Sequence, residues 1–183
     1  TLFRLEVAGS LGDWKHTDDA SGEIRFKSVD PLYGDAADTS YTVNYYINDL
    51  PTGGAPQTQF VLAASFFPIE GLKAQLLARA NSDFYSYFNP FNRTDAAESG
   101  ITSWKIPDYS VLDFHASYSL PINIGSVKPR LFVNVFNLTD EKYILEAVDN
   151  SKYNAHDKDH DADDAEVFFG LPFRWNTGIS INF

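Results

Sequence analysis

A strict alternation of apolar and polar side chains, sustained over segments of about ten residues, constrains this chain more than any other feature. Successive side chains of an extended strand point to opposite faces, so each such segment is apolar on one side and polar on the other. Wound as a helix, the same residues would scatter their apolar groups around the axis. The last segment is the cleanest: Phe173, Trp175, Thr177, Ile179, Ile181 and Phe183 share one face, with Arg174, Asn176, Gly178, Ser180 and Asn182 on the other. Leu72 to Phe84 repeats the pattern with Leu77 out of phase. Between Tyr109 and Leu120, Leu112, Phe114, Ala116 and Tyr118 oppose Asp113, His115, Ser117 and Ser119. Leu2 to Leu11 and Gln57 to Phe67 alternate as well. In Lys128 to Asn137, Leu131, Val133 and Val135 face away from Arg130 and Asn134, Phe132 and Phe136 blur the pattern, and a bulge is expected near Asn137. The chain is therefore expected to be all-β, with six long antiparallel strands.

The connections alternate in length. Pro68 to Gly71 and Pro121 to Ser126 are short and carry turn residues, whereas Lys15 to Pro56, Asn89 to Pro107 and Val148 to Ala165 are long and polar. Short turns on one rim and long loops on the other are the rhythm of an outer-membrane barrel. The 15% aromatic content fits, because Trp14, Phe84, Tyr85, Tyr87, Phe88, Trp104 and Tyr109 fall beside the long loops, and Phe66, Phe67, Tyr118 and Phe183 beside the short turns. Two aromatic belts at the membrane interfaces are expected from this. The apolar faces are expected to contact lipid through Phe173, Trp175, Ile179, Ile181, Leu112, Phe114, Leu131, Val133 and Val135. The longest nearly apolar run, Phe60 to Phe67, is too short for a membrane helix. A net charge of -11 argues against a nucleic-acid partner, and the absence of Cys excludes thiolate sites and disulfides. The start at Thr1-Leu2-Phe3-Arg4, already strand-like and without Met, suggests a piece of a longer chain. The competing reading of the pattern is a soluble β-sandwich binding module.

Several stretches resemble known sequences in combination. Ala55-Pro56-Gln57-Thr58-Gln59 looks like a strand start after an outer loop, and Phe67-Pro68-Ile69-Glu70-Gly71-Leu72 looks like the turn that follows. Pro107-x-Tyr109-x-x-x-Asp113 and Asn137-Leu138-Thr139-Asp140-x-x-Tyr143 are similar to two strand signatures, and Gly170-Leu171-Pro172 leads into a final strand ending at Phe183. Residues 55–183 thus resemble the C-terminal barrel region of TonB-dependent outer-membrane receptors, particularly Bacteroidetes-like ones; the residues before them are only compatible. The resemblance implies that the whole chain, 1–183, supplies about six strands of a 22-stranded transmembrane barrel, without the plug domain and TonB box. It implies active uptake of a scarce solute (siderophore, cofactor, glycan or peptide), or a transporter-like barrel serving as a structural subunit of an outer-membrane complex. It also implies that Phe183 is the signal read by the barrel insertion machinery, and that the partners are the rest of the barrel, the plug, TonB and outer-membrane lipid.

Side chains that could carry chemistry are sparse. The stretch His156 to Glu166 alternates Asp157, Asp159, Asp161 and Asp163, as hard-cation loops do. Counted from Asp157, however, Ala162 and Phe168 stand where a calcium-binding loop needs Gly and Glu. It is read as an open, solvated, mobile loop without metal. Asp113 and His115 share a face but lack a nucleophile, so no catalytic residue and no cofactor is expected. Arg4, Lys73, Arg79, Arg130 and Arg174 are expected on the polar face, pairing with Glu6 and Asp83.

Overall fold

The structure, a computed structural model, describes residues 2–29, 36–122, 127–154 and 157–182. In chain order the strands are β1 (Phe3–Leu11), β2 (Ala20–Val29), β3 (Ala36–Tyr45), β4 (Thr58–Phe66), β5 (Leu72–Ser82), β6 (Phe84–Tyr85), β7 (Lys105–Ile106), β8 (Tyr109–Ser119), β9 (Lys128–Phe136), β10 (Ile144–Asp149), β11 (Ala165–Phe169) and β12 (Arg174–Asn182). Three short 3-10 turns, at Pro90–Asn92, Ala96–Glu98 and Ser151–Tyr153, are the only helical elements among the described residues.

The long strands form one six-stranded antiparallel sheet in the order β1-β4-β5-β8-β9-β12. Each is one of the six segments in which alternation is strongest, and sheet neighbours follow one another along the chain apart from the loop hairpins. Among the described residues the sheet is open: β1 and β12 each have a single neighbour and do not pair with each other. The short connections β4–β5 and β8–β9 lie on one rim. In the first, Gly71 has φ +80°, and a Cβ there would come within 2.7 Å of the Ser119 carbonyl oxygen, so both conformation and space select glycine.

The long connections are not plain loops. They hold three two-stranded ribbons, β2-β3, β6-β7 and β10-β11. β9 pairs with β12 without a register shift from Lys128 to Phe136, so the expected bulge is absent and the strand simply ends where Asn137 turns to φ 52°. The one shift of this kind among the described pairs lies in β10, between Ile144 and Glu146. Phe132 and Phe136 do not break the parity; they stand on the polar face. The Phe132 ring lies over Gly178, its cross-strand partner, where a Cβ would be 2.7 Å from the ring, so the aromatic covers a residue with no side chain. Leu77 also sits on the polar face, opposite Ala63 and Asp113.

Candidate functional site

Residues paired directly across strands point the same way, which makes the sheet's two faces continuous. One carries Phe3, Leu5 and Val7 of β1, Leu62 and Phe66 of β4, Leu76 of β5, Leu112 and Phe114 of β8, Leu131, Val133 and Val135 of β9, and Trp175, Ile179 and Ile181 of β12. Phe173 precedes β12 in the same parity and is exposed. Leu131, Trp175, Ile179 and Ile181 are likewise exposed, and Leu112, Phe114, Val133 and Val135 are half-buried. Phe183 lies outside the described residues. The opposite face holds the sheet's buried residues, Ala63, Ser65, Val111 and Asp113. The sheet's buried residues lie on its polar side, inverted relative to a soluble protein, with Ile179 65% exposed and Asp113 2% exposed, while the edge strand β1 is exposed on both faces.

Asp113 anchors a junction between the two signature stretches. One of its oxygens takes the Arg79 guanidinium at 2.6 Å and the other accepts the Asn137 backbone N–H at 2.9 Å. The Asn137 amide in turn donates to the carbonyls of Glu141 and Leu171 and accepts from the Glu141 N–H. Asp140 accepts the Phe173 N–H at 2.8 Å, setting the start of β12. Tyr109 stacks on Tyr143 with centroids 4.6 Å apart, and the Tyr143 ring occupies the space where Gly170 would carry a Cβ. Tyr109, Asp113, Asn137, Asp140, Tyr143 and Gly170, separate in the sequence, thus meet at the long-loop rim.

Above that rim the long connections fold together into a cap. Backbone bonds join Tyr46 to Arg93 and Tyr87 to both Ala147 and Asp149, each at 2.8 Å. Phe84 and Phe88, expected in an exposed aromatic belt, are buried here instead: Phe84 packs with Ile106 and Ala147, and Phe88 with Ile47 and Leu50. Trp14 and Tyr87 remain exposed. The cap's charged centre is Asp149, which takes Arg93 at 3.0 Å, the His160 ring at 2.7 Å, and both the backbone N–H and hydroxyl of Ser151. Burial pushes the Asp149 carboxyl up, but the hydrogen bonds from His160 and Ser151 outweigh it and lower it to about 2. For Arg93, burial works against the charge, and Asp149 and Glu98 oppose that effect.

The acidic stretch is therefore not an open loop. Its described part folds back, burying His160 and Asp164, because Asp164 accepts from the His160 N–H and the Asn154 amide. His156 lies outside the described residues. Carboxylates of Asp157, Asp159, Asp163 and Asp164 come within 4.8 Å of one another. Asp161 borders that group, accepting the Asp163 N–H at 2.9 Å, and its hydrogen bond and negative charge raise the Asp163 carboxyl. With both Asp164 oxygens already engaged, the group carries no cation assignment.

On the polar face Asp113 and His115 do not bond each other; His115 bonds Asn134 at 2.8 Å and sets its edge on Phe136. The expected ion pairs are redistributed. Arg79 joins Asp113 rather than Asp83, Asp83 joins Lys105, and Arg174 lies over the Phe136 ring at 4.8 Å. Among the described residues Glu6 has no ion pair. Arg93, Glu98 and Asp149 escaped the reading of the sequence because only the folding of separate loops unites them; Asp149-Asn150-Ser151 alone carried a local signal, as an aspartate bonding two residues on. No protein-family model, curated protein or solved structure matches the chain.

Proposed function

We propose that this chain is part of the wall of a transmembrane β-barrel of the TonB-dependent receptor type, in the outer membrane of a Gram-negative bacterium. The observation that carries the reading is the inverted sheet, whose six strands present one continuous apolar face, exposed or half-buried, and one polar face that holds the sheet's buried residues. In water such a face is an aggregation liability; in hydrocarbon it needs no cover. The unpaired edges of β1 and β12 call for further strands, because open edges in lipid cost several kcal/mol per unsatisfied group and single-chain barrels begin at about 8 strands. Six strands of a 22-stranded barrel satisfy that requirement.

On this reading the polar face lines the lumen, the short turns are periplasmic and the cap stands outside the cell. The function is energised uptake of a scarce solute of the siderophore, cofactor, glycan or peptide class, with the plug as gate and TonB as the source of work. The chain performs no catalytic step. A structural subunit would share this architecture but not the coupling, so solute accumulation that disappears when TonB is deleted separates the two.

The membrane assignment is tested by a pair of neighbouring substitutions. Ile179→Arg places a charge on the apolar face and should destabilise the folded barrel by about 2–4 kcal/mol near mid-membrane. Ser180→Arg, one residue on and facing the other way, should cost much less. Denaturant melts in lipid vesicles that give equal costs would overturn the assignment, as would a chain that stays monomeric and soluble without detergent.

A further inference from the structure

We propose that Lys73, Arg130 and Ser117 form a binding site for a phosphate-type oxyanion on the polar face, near the short-turn rim. Lys73 of β5 is the cross-strand partner of Ser117 of β8, and Arg130 of β9 is the partner of Ser119. The Arg130 guanidinium reaches back across one strand spacing to donate to the Ser117 hydroxyl at 3.0 Å. Arg130 on β9 therefore bonds the Ser117 hydroxyl, and Lys73 flanks Ser117 from β5 on its other side, each one strand spacing of about 4.8 Å away.

The chain has 25 acidic residues against 14 basic, yet among the described residues Lys73 and Arg130, like Arg4, Lys128 and Arg174, have no ion pair, whereas Lys15, Arg25, Arg79, Arg93 and Lys105 each have at least one. Lys73, Ser117 and Arg130 line two adjoining hollows, one of about 780 Å³ that also meets Arg4 and Ser119, and one of about 360 Å³ floored by Phe132. Glu70 borders the larger hollow without pairing to either cation. Because Ser117 accepts from Arg130, its own O–H is left to donate to a third group. An oxyanion would then receive a planar guanidinium, a point-charge ammonium and a hydroxyl, three donors of the kind that bind phosphate. The site stands on the geometry of the polar face and does not depend on the membrane assignment. The phosphate could be a free solute or the headgroup of a lipid reaching the rim.

The experiment uses the chain in maltoside micelles, which carry no phosphate, with amide resonances followed as inorganic phosphate replaces chloride at constant ionic strength. Saturable shifts confined to the neighbourhood of Lys73, Ser117 and Arg130 are expected. Lys73→Gln combined with Arg130→Gln should weaken binding by about tenfold or more, Ser117→Ala by less, and Lys142→Gln on the opposite rim should leave it unchanged. Non-saturable shifts, or equal binding in the double variant, would refute the site. Should that variant fail to fold, the wild-type map decides alone, since shifts centred elsewhere refute it equally. Adding phosphatidylglycerol to the micelles identifies the source: displacement of phosphate assigns the site to a headgroup, and retained phosphate binding assigns it to a free solute.

Discussion

Asn137 does at one position what a whole turn usually shares. It adopts φ 52°, in the left-handed region that asparagine tolerates better than alanine, and its amide satisfies two carbonyls and one N–H while its backbone bonds Asp113. Asn137→Ala loses three side-chain hydrogen bonds and places at φ 52° a residue that tolerates the left-handed region less well than asparagine, so it should destabilise the chain by about 2–4 kcal/mol. Asn137→Gly loses the same bonds without the strain and should cost about 1 kcal/mol less. Denaturant melts of the refolded chain compare them; equal losses would mean that conformation contributes nothing here. The sequence marked Asn137, Asp140 and Tyr143 as one signature and Tyr109 with Asp113 as another. It could not reveal that the two touch, because residues 24 apart meet only through the register of β8 against β9. Alternation places Asp113 on the polar face with His115 but gives no sign that it is buried there under Arg79 and Asn137.

At the scale of elements, all six long strands were legible, since alternation over a whole strand is a repeated signal that survives single exceptions such as Leu77. The ribbons β2-β3 and β10-β11 were not: β10 and β11 are short and largely apolar without strict alternation, so no face repeats often enough to mark them, and β2-β3 lies inside a long polar connection. Composition argued that the acidic stretch could not offset the entropy of ordering; the reasoning failed because Asp149, Arg93 and His160 exchange charge and hydrogen bonds out of water. That network sets a pH dependence. Asp149 has a lowered folded pKa, so its contribution is present above the ordinary carboxylate value and is lost as pH falls through the folded one, from about pH 4 down to about pH 2. Asp164 is lowered as well, its bonds from Asn154 and His160 outweighing burial, and acts in the same direction. Hydrogen exchange at the Ser151 and His160 amides should accelerate across that window while strands β8 and β9 stay protected. Asp149→Asn should remove most of the pH dependence and weaken protection at neutral pH; an unchanged profile would contradict the assignment.

For the whole molecule, the open edges of β1 and β12 make assembly the exposed step. If the outer-membrane reading holds, deleting Phe183 should lower the amount of assembled, heat-modifiable barrel in cells without changing synthesis of the chain. Equal assembled amounts would count against a terminal aromatic signal.

The inverted sheet also predicts how this sequence can drift. Side chains such as Ile179 and Leu5 meet no partner of fixed shape, so Leu, Val, Phe or Ile should interchange there at little cost and only hydropathy need persist. Arg79 and Asp113 are bound to each other, and either can change only if the other changes with it. Substitution should therefore be free residue by residue on one side of the sheet and paired across strands on the other.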